Sequence, residues 1–299
     1  MNKITIHEVG PRDGLQVEKQ TVPTDLKIKW IQQLISSGID IIQVGSFVHP
    51  EKVPQMADTD RLFAHFSQSE NRPERTRLSG LVLNERGLDR GLACGVEFFC
   101  MGVSASDTYS RKNTGMSTSE ATDRIIDIAK RATEAAKAVQ VSVQNAFGCS
   151  YEGAIPESSV MRIIDRYLNA GLKRISLADT AGHAHPQRVE RLFTAAMKLD
   201  LSVEYACHFH ETYGLGLANC YAAMEAGVTS IECSFAGLGG SPSAKVKSGN
   251  VCTEDVVHLL HKMELRTDVS LDSIVAIARE AETFFGRELP GILHKIPVA

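Results

Sequence analysis

The chain has 299 residues, 43% hydrophobic and 23% charged, with a single Trp, a composition that excludes fibrous, disordered and membrane-embedded classes. A formal charge of −4 and a pI near 6.2 oppose a nucleic-acid binder, which shows a basic face. No run approaches the roughly 18 uncharged apolar residues of a membrane helix, so the expected partner is a small molecule, with no nucleic acid and no membrane involved.

Residues Met1 to Val9 alternate polar and apolar and pass straight into a strand, without the long apolar stretch of a secretory signal. The first strand, Ile4 to Val9, is followed by Gly10-Pro11-Arg12-Asp13-Gly14. Further short β-branched runs read as buried strands at Ile39 to Val44, Leu78 to Leu83, Val96 to Val103, Val139 to Gln144, Arg174 to Leu177, Leu201 to His208 and Ser230 to Phe235. Helical spacing appears between them at Leu26 to Ser36, Ser119 to Val139, Glu157 to Ala170, Pro186 to Leu199 and Leu215 to Ala226. Gly38, Gly95, Gly171 and Gly227 each stand where a helix C-cap belongs. Two last helical stretches, Thr253 to Met263 and Leu271 to Phe285, read as the final barrel helix and an extra one.

This alternation, with no Pro/Gly/Ser-rich linker, predicts a (β/α)8 TIM barrel with an additional C-terminal helix, in one catalytic domain over residues 1–299. An open doubly wound sheet fits less well, because the first strand lacks the Gly-x-Gly-x-x-Gly turn of dinucleotide binding. The seven cysteines include no Cys-x-x-Cys pair, which suits free thiols in a reducing compartment and argues against structural zinc. Cytoplasmic localisation is the expectation.

On such a barrel, reacting groups gather where the C-terminal ends of the strands converge on one mouth. His208-Phe209-His210 ends the seventh strand, and residues two apart in a strand face the same way, so both imidazoles can address one ion. A His pair in a strand is more often merely packed or exposed, and Asp13 and Asn250 at the same rim are what strengthen the metal reading. One carboxylate, two imidazoles and an amide oxygen make a mixed N/O site that suits Mg²⁺ or Mn²⁺, with Zn²⁺ and Co²⁺ as competitors.

Blander readings stand beside these. Asp13, before a glycine, can simply shape a turn with Arg12 paired to it. Asp179-Thr180 after the sixth strand can be an N-cap. Gly237-Leu238-Gly239-Gly240 reads either as a flexible run or as a place where backbone approaches a ligand closely. It is no P-loop, since the spacing to Lys245 and Lys247 is wrong, and Ser241 is outside any Gly-x-Ser-x-Gly elbow.

A family resemblance is carried by Glu8-Val9-Gly10-Pro11-Arg12-Asp13-Gly14-Leu15-Gln16, by Ser46-Phe47-Val48 with Val53-Pro54-Gln55-Met56, and by Gly148-Cys149-x-Tyr151-Glu152-Gly153. Ser176-Leu177-x-Asp179-Thr180, His208-x-His210-x-Thr212-Tyr213-Gly214, and Gly237-Leu238-Gly239-Gly240 with Ser248-Gly249-Asn250 complete it. From about Ile4 to Met263 the chain resembles the 3-hydroxy-3-methylglutaryl-CoA lyase family. The resemblance implies Asp13, His208, His210 and Asn250 as metal ligands, Arg12 as the group that steadies the enolate, Asp179 in proton transfer and Lys19 in coenzyme A contact. Gln16, Gln43 and Thr180 are the further substrate-binding candidates. The implied reaction is retro-Claisen cleavage of a 3-hydroxyacyl-CoA to acetyl-CoA and a keto acid, acetoacetate when the substrate is 3-hydroxy-3-methylglutaryl-CoA.

Two departures from the family pattern stand out. Ser241 replaces the cysteine held to act as the finishing acid, and Gln43 replaces a glutamate at the end of the second strand. Lys245 and Lys247 in the same loop read equally as contacts to phosphate and as solvated surface charges. These departures point to a lyase-like paralogue with a shifted substrate or direction. The rival readings are an aldolase or Claisen-type acyltransferase acting on a 2-oxo or 3-hydroxy acid, and a metal-retaining barrel that only binds a ligand. Barrels of this kind pair through their outer helices, so a homo-oligomer is the expectation, although no sequence signal fixes it.

Overall fold

The computed structural model describes residues 3–240 and 249–297. Eight parallel strands surround a closed barrel in chain order: β1 (Thr5–Glu8), β2 (Ile41–Ser46), β3 (Arg77–Leu81), β4 (Phe98–Ser104), β5 (Ala138–Gln144), β6 (Arg174–Asp179), β7 (Glu204–Phe209) and β8 (Ser230–Cys233). The seam is closed by β1 against β8, Thr5 opposite Ser230 through Glu8 opposite Cys233. This is the predicted (β/α)8 class.

The surrounding helices are α1 (Thr24–Ser36), α2 (Thr59–Ser67), α3 (Glu85–Ala93), α4 (Asp107–Thr114), α5 (Thr118–Glu134), α6 (Glu157–Asn169), α7 (Pro186–Met197), α8 (Gly216–Glu225), α9 (Thr253–Lys262) and the additional α10 (Leu271–Phe285). Gly38, Gly95, Gly171 and Gly227 have φ of 91°, 75°, 79° and 103°, the left-handed values that let a helix stop and the chain turn into the next strand.

The sequence reading has no ranges for helices α2, α3 and α4, although Gly95 marks the end of α3. In α3 the reason is packing: a Cβ on Gly91 would lie 2.5 Å from the Phe99 ring, so two glycines that weaken helix propensity are what let it lie close to the barrel. The helix expected over Ser119 to Val139 stops at Glu134. Ala136 adopts φ 57° and β5 starts at Ala138, so Val139 belongs to the sheet. The eighth strand ends at Cys233 instead of Phe235, because Ala236 turns left-handed (φ 56°), its N–H donating to the buried Glu254 carboxylate at 3.0 Å.

β5 shows how the barrel divides its side chains. Val139, Val141 and Val143 pack in the hydrophobic core, whereas Gln140, Ser142 and Gln144 line a cavity inside the barrel. Alternation of this kind leaves a polar interior beneath the mouth.

Candidate active site

The chain leaves β1 through one wide helical turn, Gly10–Gly14, in which the Val9 carbonyl accepts from the N–H groups of Arg12 (3.1 Å), Asp13 (2.7 Å) and Gly14 (3.3 Å). Wide π-type turns occur disproportionately at functional sites, and this one aims Arg12 and Asp13 into the mouth. The Arg12 Nη1 donates to Asp13 Oδ1 at 2.5 Å. The Asn250 Nδ2 donates to Asp13 Oδ2 at 2.9 Å and to the Leu238 carbonyl at 3.0 Å.

His208 is on β7 and His210 lies one residue beyond it, their Nε2 atoms 3.2 Å apart. Asn250 reaches them because the segment at Gly249 to Val251 runs antiparallel to the end of β7, with Glu211 N–H donating to Gly249 O at 3.0 Å and Val251 N–H to Phe209 O at 3.0 Å. Ligand atoms of Asp13, His208 and His210 all lie within 4.8 Å of one another. Residues from two distant parts of the sequence thus meet at one point.

The charge states of Asp13 and His210 suit a cation. Burial works to raise the Asp13 carboxyl, but Arg12, His208, His210 and the Asn250 bond outweigh it and bring it to about 2. Burial, with His208 beside it, lowers His210 to about 4, so this imidazole is neutral at pH 7 and keeps a lone pair to give. For His208, burial is opposed and outweighed by the hydrogen bond and charge of Glu232, moving it upward. The Asn250 Oδ1 and the His210 Nδ1 are buried with no hydrogen-bond partner among the described residues. An anionic carboxylate, a neutral imidazole and an orphaned amide oxygen fit a divalent ion with mixed N/O preference.

Around this cluster is a cavity of about 320 Å³ that also takes in Gln16, Gln43 and Thr180. The structure therefore brings Arg12, Asp13, His208, His210, Gln16, Gln43 and Thr180 to one cavity, with Asn250 bonded to Asp13 at its edge. Three calls stand apart. Lys19 is exposed and outside the cavity lining. Ser241 lies outside the described residues, as do Lys245 and Lys247, although Gly240 before them reaches the cavity.

Asp179 requires a correction. Ser176, Ala178 and Thr180 face the cavity, so strand alternation turns Asp179 away from it. Its two carboxylate oxygens accept from the N–H groups of His183 (2.9 Å) and Ala184 (2.8 Å). It shapes the turn that leads into α7, in agreement with the capping alternative, and a role in proton transfer to the substrate has no geometric support.

Sequence reasoning missed Glu232, a 7%-exposed residue on β8. The His208 Nδ1 donates to Glu232 Oε2 at 2.9 Å and the Gln140 Nε2 to Glu232 Oε1 at 2.6 Å. Signals for both residues exist: a carboxylate in the apolar run Ile231-Glu232-Cys233, and the alternation Val139-Gln140-Val141-Ser142-Val143-Gln144. In a barrel whose outside is covered by helices, the polar half of that pattern has to face inward.

Comparison with known proteins agrees with this geometry. The HMGL-like family model matches residues 3–280. Hydroxymethylglutaryl-CoA lyase YngG of Bacillus subtilis is 37% identical over 288 residues, covering 96% of this chain and 95% of that protein. The crystal structure of the Bacillus subtilis HMG-CoA lyase superposes with a TM-score of 0.93 at 36% identity, covering 99% of this chain and 98% of that one. An HMG-CoA lyase from Acinetobacter baumannii, solved with coenzyme A and 3-methylmalate, superposes at 0.90 with 32% identity and the same coverages of 99% and 98%.

Proposed function

The chain belongs to the HMGL-like family and is a carbon–carbon lyase, and we propose that its reaction is the divalent-metal-dependent cleavage of 3-hydroxy-3-methylglutaryl-CoA, or a closely related 3-hydroxyacyl-CoA, to acetyl-CoA and a keto acid. The observation that carries this reading is the convergence of Asp13, His208 and His210 within 4.8 Å beside Arg12 in one cavity. Coenzyme A and a hydroxy diacid bound to the Acinetobacter baumannii relative support the substrate class.

Asp13, His208, His210 and Asn250 would hold the ion, a mixed N/O donor set that suits Mg²⁺ or Mn²⁺. When bound, a divalent ion polarises the substrate's hydroxyl and carboxylate oxygens. The protein does the rest. Arg12 spends its Nη1 on Asp13 and lines the cavity, so its remaining terminal N–H groups would serve the thioester oxygen as it gains enolate charge. Gln16, Gln43 and Thr180 line the cavity and would orient the acyl group. Lys19, exposed outside it, would offer its charge to coenzyme A phosphates.

Residues 1–299 are taken as one catalytic domain, working in the cytoplasm, where acyl-CoA thioesters and reduced thiols coexist. Among the described residues no helix is long and apolar enough to cross a membrane. Self-association through the outer helices belongs to the same reading, and sedimentation velocity checks it.

The test is to supply Mg²⁺ or Mn²⁺ and 3-hydroxy-3-methylglutaryl-CoA and to measure acetoacetate release. Release that disappears with EDTA and returns with metal is the expected result. A metal-loaded protein inactive on this and on longer-branched 3-hydroxyacyl-CoA thioesters, yet active on a 2-oxo acid, would replace the reading with the aldolase one.

A further inference from the structure

Cleavage of this kind ends with an enolate whose carbon must take up a proton, so the cavity has to present an acid. Among the described lining residues outside the ligand cluster, the candidates are Cys100, Tyr109 and the alcohols of Ser104, Ser110, Thr114, Ser142, Ser176 and Thr180. Aliphatic alcohols are far weaker acids than a phenol, whose ordinary pKa is about 10. Burial, with Glu232 nearby, pushes the Cys100 thiol up to about 12, and that side chain is buried in the barrel wall. Tyr109 is left.

The position of Tyr109 is well determined. It occupies the first turn of α4, where its N–H donates to the Ser106 Oγ cap at 3.1 Å. The next anchor is Glu152, whose Oε1 accepts from the Thr108 N–H at 2.6 Å. The Tyr109 ring lies 6.2 Å from that of Tyr151. Its hydroxyl makes no hydrogen bond to the described residues, while the ring lines the same cavity as Arg12 and Asp13. Burial foremost, and then Asp13, hold the phenol above its ordinary range, with Arg12 acting in the opposite direction. The group is therefore protonated at neutral pH, and a guanidinium is at hand to offset the phenolate charge after donation.

We infer that Tyr109 is the acid that protonates the enolate carbon of the acetyl-CoA product, an assignment that rests on the lyase reading above. The substrate hydroxyl gives its proton to solvent at the mouth. The bond between the carbinol carbon and the thioester α-carbon breaks, and its electron pair passes into the enolate. The α-carbon then forms a C–H bond with the Tyr109 proton, and water reprotonates the phenolate.

The test compares wild type with Y109F, which removes one oxygen, in two assays: cleavage of 3-hydroxy-3-methylglutaryl-CoA, and exchange of acetyl-CoA methyl hydrogens with D₂O. Expected for Y109F is a kcat lower by about 100-fold or more. KM stays within about threefold, since an acid acting only in the transition state adds little to substrate binding. Exchange falls in parallel, and Mn²⁺ affinity by calorimetry is unchanged. Equal cleavage and exchange in the two proteins overturns the assignment. A loss of Mn²⁺ affinity in step with kcat overturns it too, by making Tyr109 a structural support. If wild type exchanges acetyl-CoA hydrogens without cleaving this thioester, Y109F still decides the question through exchange. Wild type inactive in both assays brings down the lyase reading and this inference together.

Discussion

His208, a proposed ligand, shows how one side chain is oriented by its neighbours. Its Nδ1–H donates to Glu232, which Gln140 holds from the other side, so the tautomer is set with the Nε2 lone pair facing His210 and Asp13. Carboxylate partners of this kind typically change metal affinity 10–100-fold when removed. E232Q, isosteric but uncharged, is therefore expected to weaken Mn²⁺ binding by about 10–100-fold, with Q140L showing a smaller loss of the same sign; calorimetric titration of the metal-free proteins reads both. Equal affinity in E232Q and wild type would remove Glu232 from the site's machinery.

At the scale of elements, the rim loops set the ligand geometry. Gly239 has φ 113°, and a Cβ there would lie 2.5 Å from Asn250 Nδ2. G239A is expected to lose roughly 1–3 kcal/mol of stability from the strained backbone and to displace Asn250, seen as a lower Tm together with weaker metal binding. A Tm drop with intact affinity would mean that the loop yields without moving the amide.

The C-terminal tail is the second such element. His294, after α10, donates to Glu254 at 2.8 Å, and its other ring nitrogen lies 3.2 Å from Glu282. Glu254 in turn accepts from the Ala236 N–H that turns the chain out of β8. Burial opposes the charge on His294, but the two carboxylates outweigh it and raise its pKa above 6.5. A group raised on folding contributes stability that is complete below its unfolded value and is lost as pH climbs through the folded one. H294Q should therefore destabilise most near pH 6, by roughly 3 kcal/mol for breaking a buried pair, and the gap to wild type should narrow by pH 9 in denaturant titrations. A gap independent of pH would show that packing, not charge, holds the tail.

For the whole molecule, closure of the barrel places residues from both ends of the chain in a single mouth: Asp13 follows β1, while Asn250 follows β8 and hydrogen-bonds to it across the seam. An ion held as proposed would tie the first strand to the last two, and so would bind the folded barrel and not the unfolded chain. At 100 times its Kd such an ion adds about 2.7 kcal/mol. Thermal unfolding should shift upward with Mn²⁺ in wild type and fail to shift in a D13A/H208A double variant. An equal shift in both proteins would place the stabilising ion elsewhere.

The sequence alone determined the barrel and most of its mouth, because both are written in short periods. Strand runs, each preceded by a helix that stops at Gly38, Gly95, Gly171 or Gly227, repeat locally, and His208 and His210 share a face by the two-residue alternation of any strand. Gly95 marked the end of α3, but the helix's extent was illegible because Gly91 within it is explained by Phe99, a contact between separate elements. The same limit applied at the site. Only the closed barrel decides that Asp179 faces away from the cavity while Glu232 and Gln140 meet behind His208, since inward and outward are defined by the neighbouring strands and the helices that cover them. Tyr109 was illegible for that reason too: it becomes a candidate acid only when α4 lays it over the cavity that Arg12 and Asp13 enter from β1, a proximity created by folding between residues nearly a hundred positions apart.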